Sequence, residues 1–227
     1  GVASIILPLR HPAHVAKAAA SVDELSEGRL LLGVASGDRP QEYPAMNLPY
    51  AERGKLFRDS FSYIRRMQEF APRFENEFGS PDGGMDMLPK PVGGRLPLLI
   101  TGSSQQSPDW IAHNGDGWMT YPRSPAAQAE VVREWRARNA AAGQLDKPAM
   151  QSLYIDLQDS DDAAPEPIHL GLRLGPGQLQ EHLKKLENAG INHVALNLRF
   201  NEADVEDTLR RLAKDVLPEF ESPKVRT

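Results

Sequence analysis

The sequence predicts an α/β fold with parallel strands, and three observations carry that reading. Short apolar runs alternate with stretches of helical period along the whole chain. The run Leu30 to Ala35 is continuously apolar rather than alternating, as a strand buried on both faces is. Helical stretches separate the successive strands, which calls for crossovers between parallel neighbours. A doubly wound sheet and a (β/α)8 barrel both satisfy the pattern.

The elements follow in order. Ala3 to Leu7 reads as a strand. His14 to Leu25 reads as a helix, because Val15, Ala18, Ala19, Val22 and Leu25 recur at helical spacing and Gly28 stops it. Leu30 to Ala35 is the next strand. Glu52 to Phe70 is a helix with Leu56, Phe57, Phe61, Ile64 and Met67 on one stripe. Phe74 to Val92 is rich in Gly and Pro, has no period, and reads as a long rim loop covering a site. Leu96 to Thr101 is a strand, Pro108 to Asn114 a short helix and Gly117 to Tyr121 a short strand. Ala126 to Ala141 is a helix carrying Val131, Val132 and Trp135. Met150 to Leu157 is a strand, and the acidic run Asp156 to Asp162 reads as a solvated loop. Gln178 to Ala189 is a helix ended by Gly190, His193 to Phe200 a strand, and Ala203 to Val216 a closing helix. The count is six strands, and Gly1 to Leu7 is already strand-like. The chain therefore reads as a single domain that opens inside a strand, with two βα units missing upstream.

Composition narrows the function. The 227 residues carry 40% hydrophobic side chains and a net charge of -5, which argues against a nucleic-acid surface. No cysteine is present, so disulfides, thiolate catalysis and cysteine metal sites are excluded. No apolar run approaches the roughly 20 residues of a membrane span. A cytoplasmic protein without a membrane partner is expected.

In parallel α/β folds ligands bind beyond the carboxyl ends of the strands. Here those ends are Leu7 to Pro12, Ala35 to Arg39, Thr101 to Ser107, Tyr121 to Arg123, Asp156, and Asn197 to Arg199. All are rich in small, polar or basic residues. The segment Gly102-Ser103-Ser104-Gln105-Gln106-Ser107-Pro108 runs from strand to helix, with Ser107 as N-cap and Pro108 in the first turn. It suits a phosphate cradle without lysine, or a plain N-cap. His113, His182 and His193 read as surface or satisfied core residues, and His14 and His169 are no better placed. His11 sits between a strand and a helix start, where it either caps the helix or meets a ligand. No histidine and carboxylate have metal-ligand spacing, so no metal site is expected, and no Gly-x-Ser-x-Gly elbow occurs.

Two stretches resemble the bacterial luciferase-like flavin monooxygenases. "SIILPLRHPAHVAKAAASVDELSEGRLLLGVASGD" is similar to that family's central segment: a strand, Leu-Pro, His-Pro, a helix ending Asp-x-Leu-Ser-x-Gly-Arg, then a Gly-punctuated strand. "LLITGSSQQSPDWIAHNGDGWMTYPR" resembles the part that follows. The resemblance implies a (β/α)8 TIM-barrel fold, incomplete at the amino terminus. It implies a flavoprotein oxidoreductase or monooxygenase using reduced FMN and oxygen on a small organic substrate, with a separate flavin reductase as a possible partner. The alternatives are an F420-dependent oxidoreductase and a non-catalytic flavin-binding protein. By the resemblance Ala3 and Ser4 lie under the flavin ring on strained backbone. Ser36, Gly37, Asp38 and Arg39 hold its edge and phosphate, with Gly37 allowing close approach. Gly102, Ser103, Ser104, Gln105 and Ser107 also bind the cofactor, and His11 is the catalytic candidate. Ser36 stands where relatives often carry arginine, leaving Arg39, Arg10 and Arg123 to meet the phosphate charge. Family members commonly dimerise, and the Ala-rich helix 13–25 suggests a homodimer centred on Ala16, Lys17, Ala20 and Asp23. The alternative is that these alanines pack on a helix of the same chain.

Overall fold

The computed structural model describes residues 2–220, without the side chains of Val2 and Ala3. Contacts divide these residues into two compact units, 2–119 with 141–147 and 120–140 with 148–220.

The first unit opens with β1 (Val2–Ile6), a 3-10 turn (Leu7–Leu9) and α1 (Pro12–Leu25). Then come β2 (Leu32–Ala35), the single turn α2 (Glu42–Ala45) and α3 (Arg53–Met67). β3 (Leu98–Thr101), α4 (Pro108–Asn114) and β4 (Gly117–Thr120) complete it, the last residue of β4 falling in the second unit. The strands lie side by side in chain order and all parallel, with Ile5 opposite Val34, Val34 opposite Ile100, and Ile100 opposite Trp118. Leu32, Val34, Leu98, Leu99 and Ile100 are buried whichever face they take, which is why β2 and β3 are apolar without alternation. All five predicted stripe residues of α3 are buried. Phe57 and Phe61 meet Trp110 of α4 edge-on, at centroid distances of 6.1 and 5.4 Å. α1 ends as predicted: Gly28 takes φ +77° and its N–H closes on Asp23 O at 2.8 Å.

One expectation is corrected in this unit. The face of α1 nominated for a two-fold contact is interior. Ala16 and Ala20 have no exposed surface, Asp23 is buried, and α1 packs on α3. The small side chains serve close packing within the chain. The segment 74–92, expected as a rim loop, meets the end of β1 at one turn and then follows α1. Its Asn76–Gly79 turn reaches the start of α1, where His11 Nε2 meets Phe78 O at 3.1 Å. From there it descends along α1. Lys17 Nζ donates to Leu88 O, and Val92 N donates to Asp23 Oδ2 at 2.9 Å. Anchors from position 11 to position 23 span roughly 18 Å of helix, so the segment is a strap down the outside of the unit.

The second unit holds most of α5 (Pro125–Ala141), then β5 (Ala149–Leu157), β6 (Glu166–Ile168) and β7 (Gly171–Leu174). α6 (Pro176–Asn188), β8 (His193–Asn197) and α7 (Val205–Arg211) follow, and a π turn (Leu212–Val216) extends the last helix. β5 is the trunk. Its first half pairs in parallel with β8, its second half with β7, and both ladders include Tyr154. Leu153, Ile155, Leu157, Leu174, Leu179, Leu212 and Val216 form the core.

The hairpin β6–β7 departs from the six strands expected from the sequence, since eight are formed among the described residues. Pro167 cannot donate to a ladder, so β6 occupies the edge position that proline tolerates. The acidic run is also corrected. Asp156 is 1% exposed, accepts from Arg173 Nε at 2.6 Å and takes the Glu202 N–H at 3.0 Å. Only Asp159 onward faces solvent in the manner of a loop. Among the described residues no helix is long and apolar enough to cross a membrane.

Burial, with a lesser push from Lys185, lowers the pKa of His182 on α6 below its ordinary value of 6.5. The folded chain therefore takes up this proton less readily than the unfolded chain. The stability involved is present above about pH 6.5 and is lost as pH falls below it. His182→Leu is expected to flatten the fall in melting temperature between about pH 7 and about pH 5. Identical pH slopes for the two proteins would show that His182 does not contribute.

Candidate functional site

The carboxyl ends of β1, β2 and β3 in the first unit bring together most of the residues the sequence singled out. After β2 the chain turns at Ser36 and Gly37, and the Tyr43 hydroxyl donates back to Ser36 O. Tyr43 is fully buried, which raises the pKa of its phenol, and its ring stands edge-on to Tyr50 at 5.1 Å. Gly37 has φ +77°, and a Cβ there would meet Ile6 Cγ2 at 2.8 Å and Tyr43 Oη at 3.1 Å. The glycine is thus required, but by protein packing. On the side where a Cβ would project, the space is filled by Ile6 and Tyr43. Asp38 and Arg39 are exposed, and Arg39 pairs with Glu42 at 3.3 Å.

After β3 the backbone takes the left-handed region three times, at Gly102 (φ +58°), Ser104 (φ +46°) and Gln105 (φ +59°). The two non-glycine residues store strain of order 1–3 kcal/mol each, which surroundings must enforce. Gln106 does so. Its Nε2 donates to Ser104 O at 2.8 Å and to Gly54 O at 2.9 Å, and its Oε1 accepts from Arg58 at 3.0 Å. Of the three serine hydroxyls predicted as a cradle, Ser104 donates its proton within the turn, while Ser103 and Ser107 act as acceptors. Ser104 is buried and donates to Thr101 O at 2.8 Å. Ser107 caps α4 by accepting from Trp110 N at 3.2 Å, with Pro108 at the first position, as predicted. Ser103 is exposed, and its hydroxyl oxygen faces the Gln105 N–H at 3.4 Å.

His11 is the N-cap of α1. Its Nδ1 accepts from the Ala13 N–H at 3.3 Å, so Nε2 carries the proton and donates to Phe78 O. Its ring also stands edge-on to Tyr63 and Phe78. Of the two roles open to His11, the structure shows the capping one, with the second ring nitrogen anchoring the Asn76–Gly79 turn. Ser4 is an exposed residue of β1, and the β1–β2 register shifts between Val2 and Ile5. The Ala3 side chain lies outside the described residues. Arg10 is exposed and has no side-chain partner among the described residues. Arg123 belongs to the second unit, where it donates to Thr120 Oγ1 at 2.6 Å and Tyr121 O at 2.9 Å.

Sequence reasoning passed over Tyr43, Tyr50 and Arg53. The Arg53 guanidinium lies 3.9 Å from the Tyr50 ring centroid and donates to Tyr50 O at 3.1 Å, yet its Nε is buried without an acceptor. The pattern Tyr-Ala-Glu-Arg-Gly at a helix start was the available signal: an arginine in a first turn, beside a glycine that admits Gln105 at close range.

By its fold and its polar strand ends, the first unit is of the class of α/β proteins that carry ligands beyond parallel strands. The chain belongs to the luciferase-like monooxygenase family, whose model matches residues 1–217. It is similar to two uncharacterized proteins of Mycobacterium tuberculosis. One is 31% identical over 173 residues, covering 74% of this chain and 60% of the relative. The other is 26% identical over 206 residues, covering 83% and 69%. The chain thus spans about 60% of the length of the first of these. Among solved structures it shares the fold of a monooxygenase from Streptomyces bottropensis (TM-score 0.80, 18% identity, 96% of this chain and 77% of that one). It also shares the fold of an F420-dependent secondary alcohol dehydrogenase (TM-score 0.74, 17% identity, 93% and 76%). A third is the FMN complex of the oxygenating constituent of 3,6-diketocamphane monooxygenase from Pseudomonas putida (TM-score 0.73, 16% identity, 97% and 79%).

Gln106→Leu removes the three side-chain bonds that hold the turn after β3. It is expected to lower unfolding free energy by about 1–3 kcal/mol, read as a lower urea midpoint with an unchanged slope. An unmoved midpoint would show that the left-handed turn does not depend on Gln106.

Proposed function

We propose that this chain is the cofactor-binding part of a flavin-dependent oxidoreductase or monooxygenase that acts on a small organic substrate with reduced FMN and oxygen. The observation that carries this reading is the family match over residues 1–217. A separate reductase would supply the reduced flavin. The F420-dependent reading stands beside it, because a deazaflavin enzyme and an FMN enzyme share this fold at similar TM-scores.

The residues at the strand ends suit a phosphate-bearing cofactor. Arg53 Nε is a buried donor without an acceptor, and Arg10 is a cation without a partner among the described residues. Ser103 offers an exposed hydroxyl. In this reading Arg53 binds a phosphate oxygen, with Arg10 and Arg39 adding positive charge. The bound flavin or deazaflavin supplies the redox chemistry. The chain supplies orientation: Tyr43 and Gln106 fix the two turns, and His11 holds the Asn76–Gly79 turn against the start of α1.

FMN, riboflavin and F420 titrated into the chain, followed by fluorescence, test the reading. Arg53→Met is expected to weaken FMN binding by about tenfold or more, the scale of a lost bond to a charged group. Riboflavin, which lacks the phosphate, is expected to bind equally to both proteins. Tighter binding of F420 than of FMN would select the deazaflavin reading. Failure of all three to bind, with a folded chain, would overturn the proposal.

A further inference from the structure

At the opposite end of the first unit's strands, a cleft of about 460 Å³ opens among the carboxyl ends of α3 and α4 and the chain entering β3. Its inner wall is made by Arg65 and Gln68, one helical turn apart on α3, beside Phe61. Both polar residues are largely buried and only partly satisfied. Arg65 donates to Leu96 O at 2.6 Å and to Asp116, but its Nε has no acceptor. Gln68 accepts from Leu96 N at 3.0 Å, which fixes its amide orientation and leaves Nε2 without an acceptor.

Among the described residues no group accepts from either atom. Asp116 is the carboxylate at this end of β4, and it is shared by two guanidiniums and a backbone N–H. Besides Arg65 it accepts from Arg95 at 2.9 Å and from Leu98 N at 2.9 Å. The carbonyls at the helix ends are also taken. Lys147 Nζ donates to Ala112 O at 2.6 Å, Asn114 Nδ2 to Trp110 O at 2.8 Å, and Lys90 Nζ to Glu69 O at 2.6 Å. Three cations stand close together here: burial lowers the pKa of Lys147, Asp116 opposes that effect, and Arg95 and Arg65 add to it. Glu69 is the one acid lining the cleft, and it pairs with Arg66 at 3.6 Å. Buried donors without acceptors, beside surplus cations, call for a ligand rich in acceptor oxygens.

We propose that this cleft binds a small oxyanion, a phosphate group either free or as a monoester, with Arg65 and Gln68 as inner donors and Arg95 and His113 at its exposed mouth. The site is separate from the strand ends where the cofactor is placed, and it does not rest on the flavin reading.

Calorimetric titration of the whole chain with inorganic phosphate, at constant ionic strength against chloride, tests it. Arg95→Gln, an exposed position, is expected to weaken phosphate binding by about tenfold or more. Glu69→Gln is expected to tighten it, a gain that misfolding cannot produce. Arg210→Gln, an exposed position on α7 of the second unit, is expected to leave it unchanged. Glycerol 3-phosphate run in parallel separates the two sources: tighter binding than phosphate identifies a monoester, and equal binding identifies the free ion. Phosphate heats no larger than those of chloride would overturn the proposal and leave the cleft to water. It is equally overturned if Arg95→Gln and Glu69→Gln both bind phosphate as the parent does.

Discussion

One helix holds β3 at both of its ends. α3 runs about 22 Å. Its first two turns receive Gln106 at Gly54 O and present Arg58 to the same glutamine. Its last turn and the residue beyond grip the chain entering β3, Arg65 at Leu96 O and Gln68 at Leu96 N. Between these grips Phe57, Phe61 and Ile64 are sunk in the core. A helix so packed does not bend to accommodate one end alone. The strained turn at the strand ends and the polar cleft at the base are therefore two consequences of a single placement.

That placement explains why the strand ends look chemically quiet. Polar side chains are plentiful there, but most already work for the fold. The Tyr43 hydroxyl, both ring nitrogens of His11 and the Ser104 hydroxyl are bonded to backbone partners, and Ser107 Oγ accepts from a backbone N–H. A site that itself moves protons needs at least one such group in reach of its substrate. One that positions a reactive cofactor needs rigid walls and a few donors in reserve. Arg53 fits the second description, being stacked on Tyr50 with one donor unspent.

The sequence made the order of elements legible because each strand or helix announces itself locally. α3 has a full helical stripe, β2 and β3 are unbroken apolar runs, and α4 carries its own Ser-Pro start. Partnerships across the chain were not legible. Alanines at 16 and 20 say that something comes close, but not whether it is α3 or a second molecule. Asp156 looks like its acidic neighbours until Arg173, far along the chain, is seen beside it. Gly37 signals a turn, and only the positions of Ile6 and Tyr43 show what fills the space. The hairpin β6–β7 was hidden for another reason. Three or four residues including a proline have too few positions to show a period.

The strap along α1 bears on how this region tolerates damage and change. Its two halves are fastened independently, the upper by His11 and by Asn76 Nδ2 on Asp59 O, the lower by Lys17, by Asp23 and by Lys90 on Glu69 O. Between them Gly84 and Met85 stand exposed at a bend. A break in the chain there would leave each fragment seated on the same helices, joined by contacts rather than by a peptide bond. Added residues at that point would extend into solvent without loosening either fastening. Of all of segment 74–92, this bend is where the protein could be cut, lengthened or tagged at the least cost to its core.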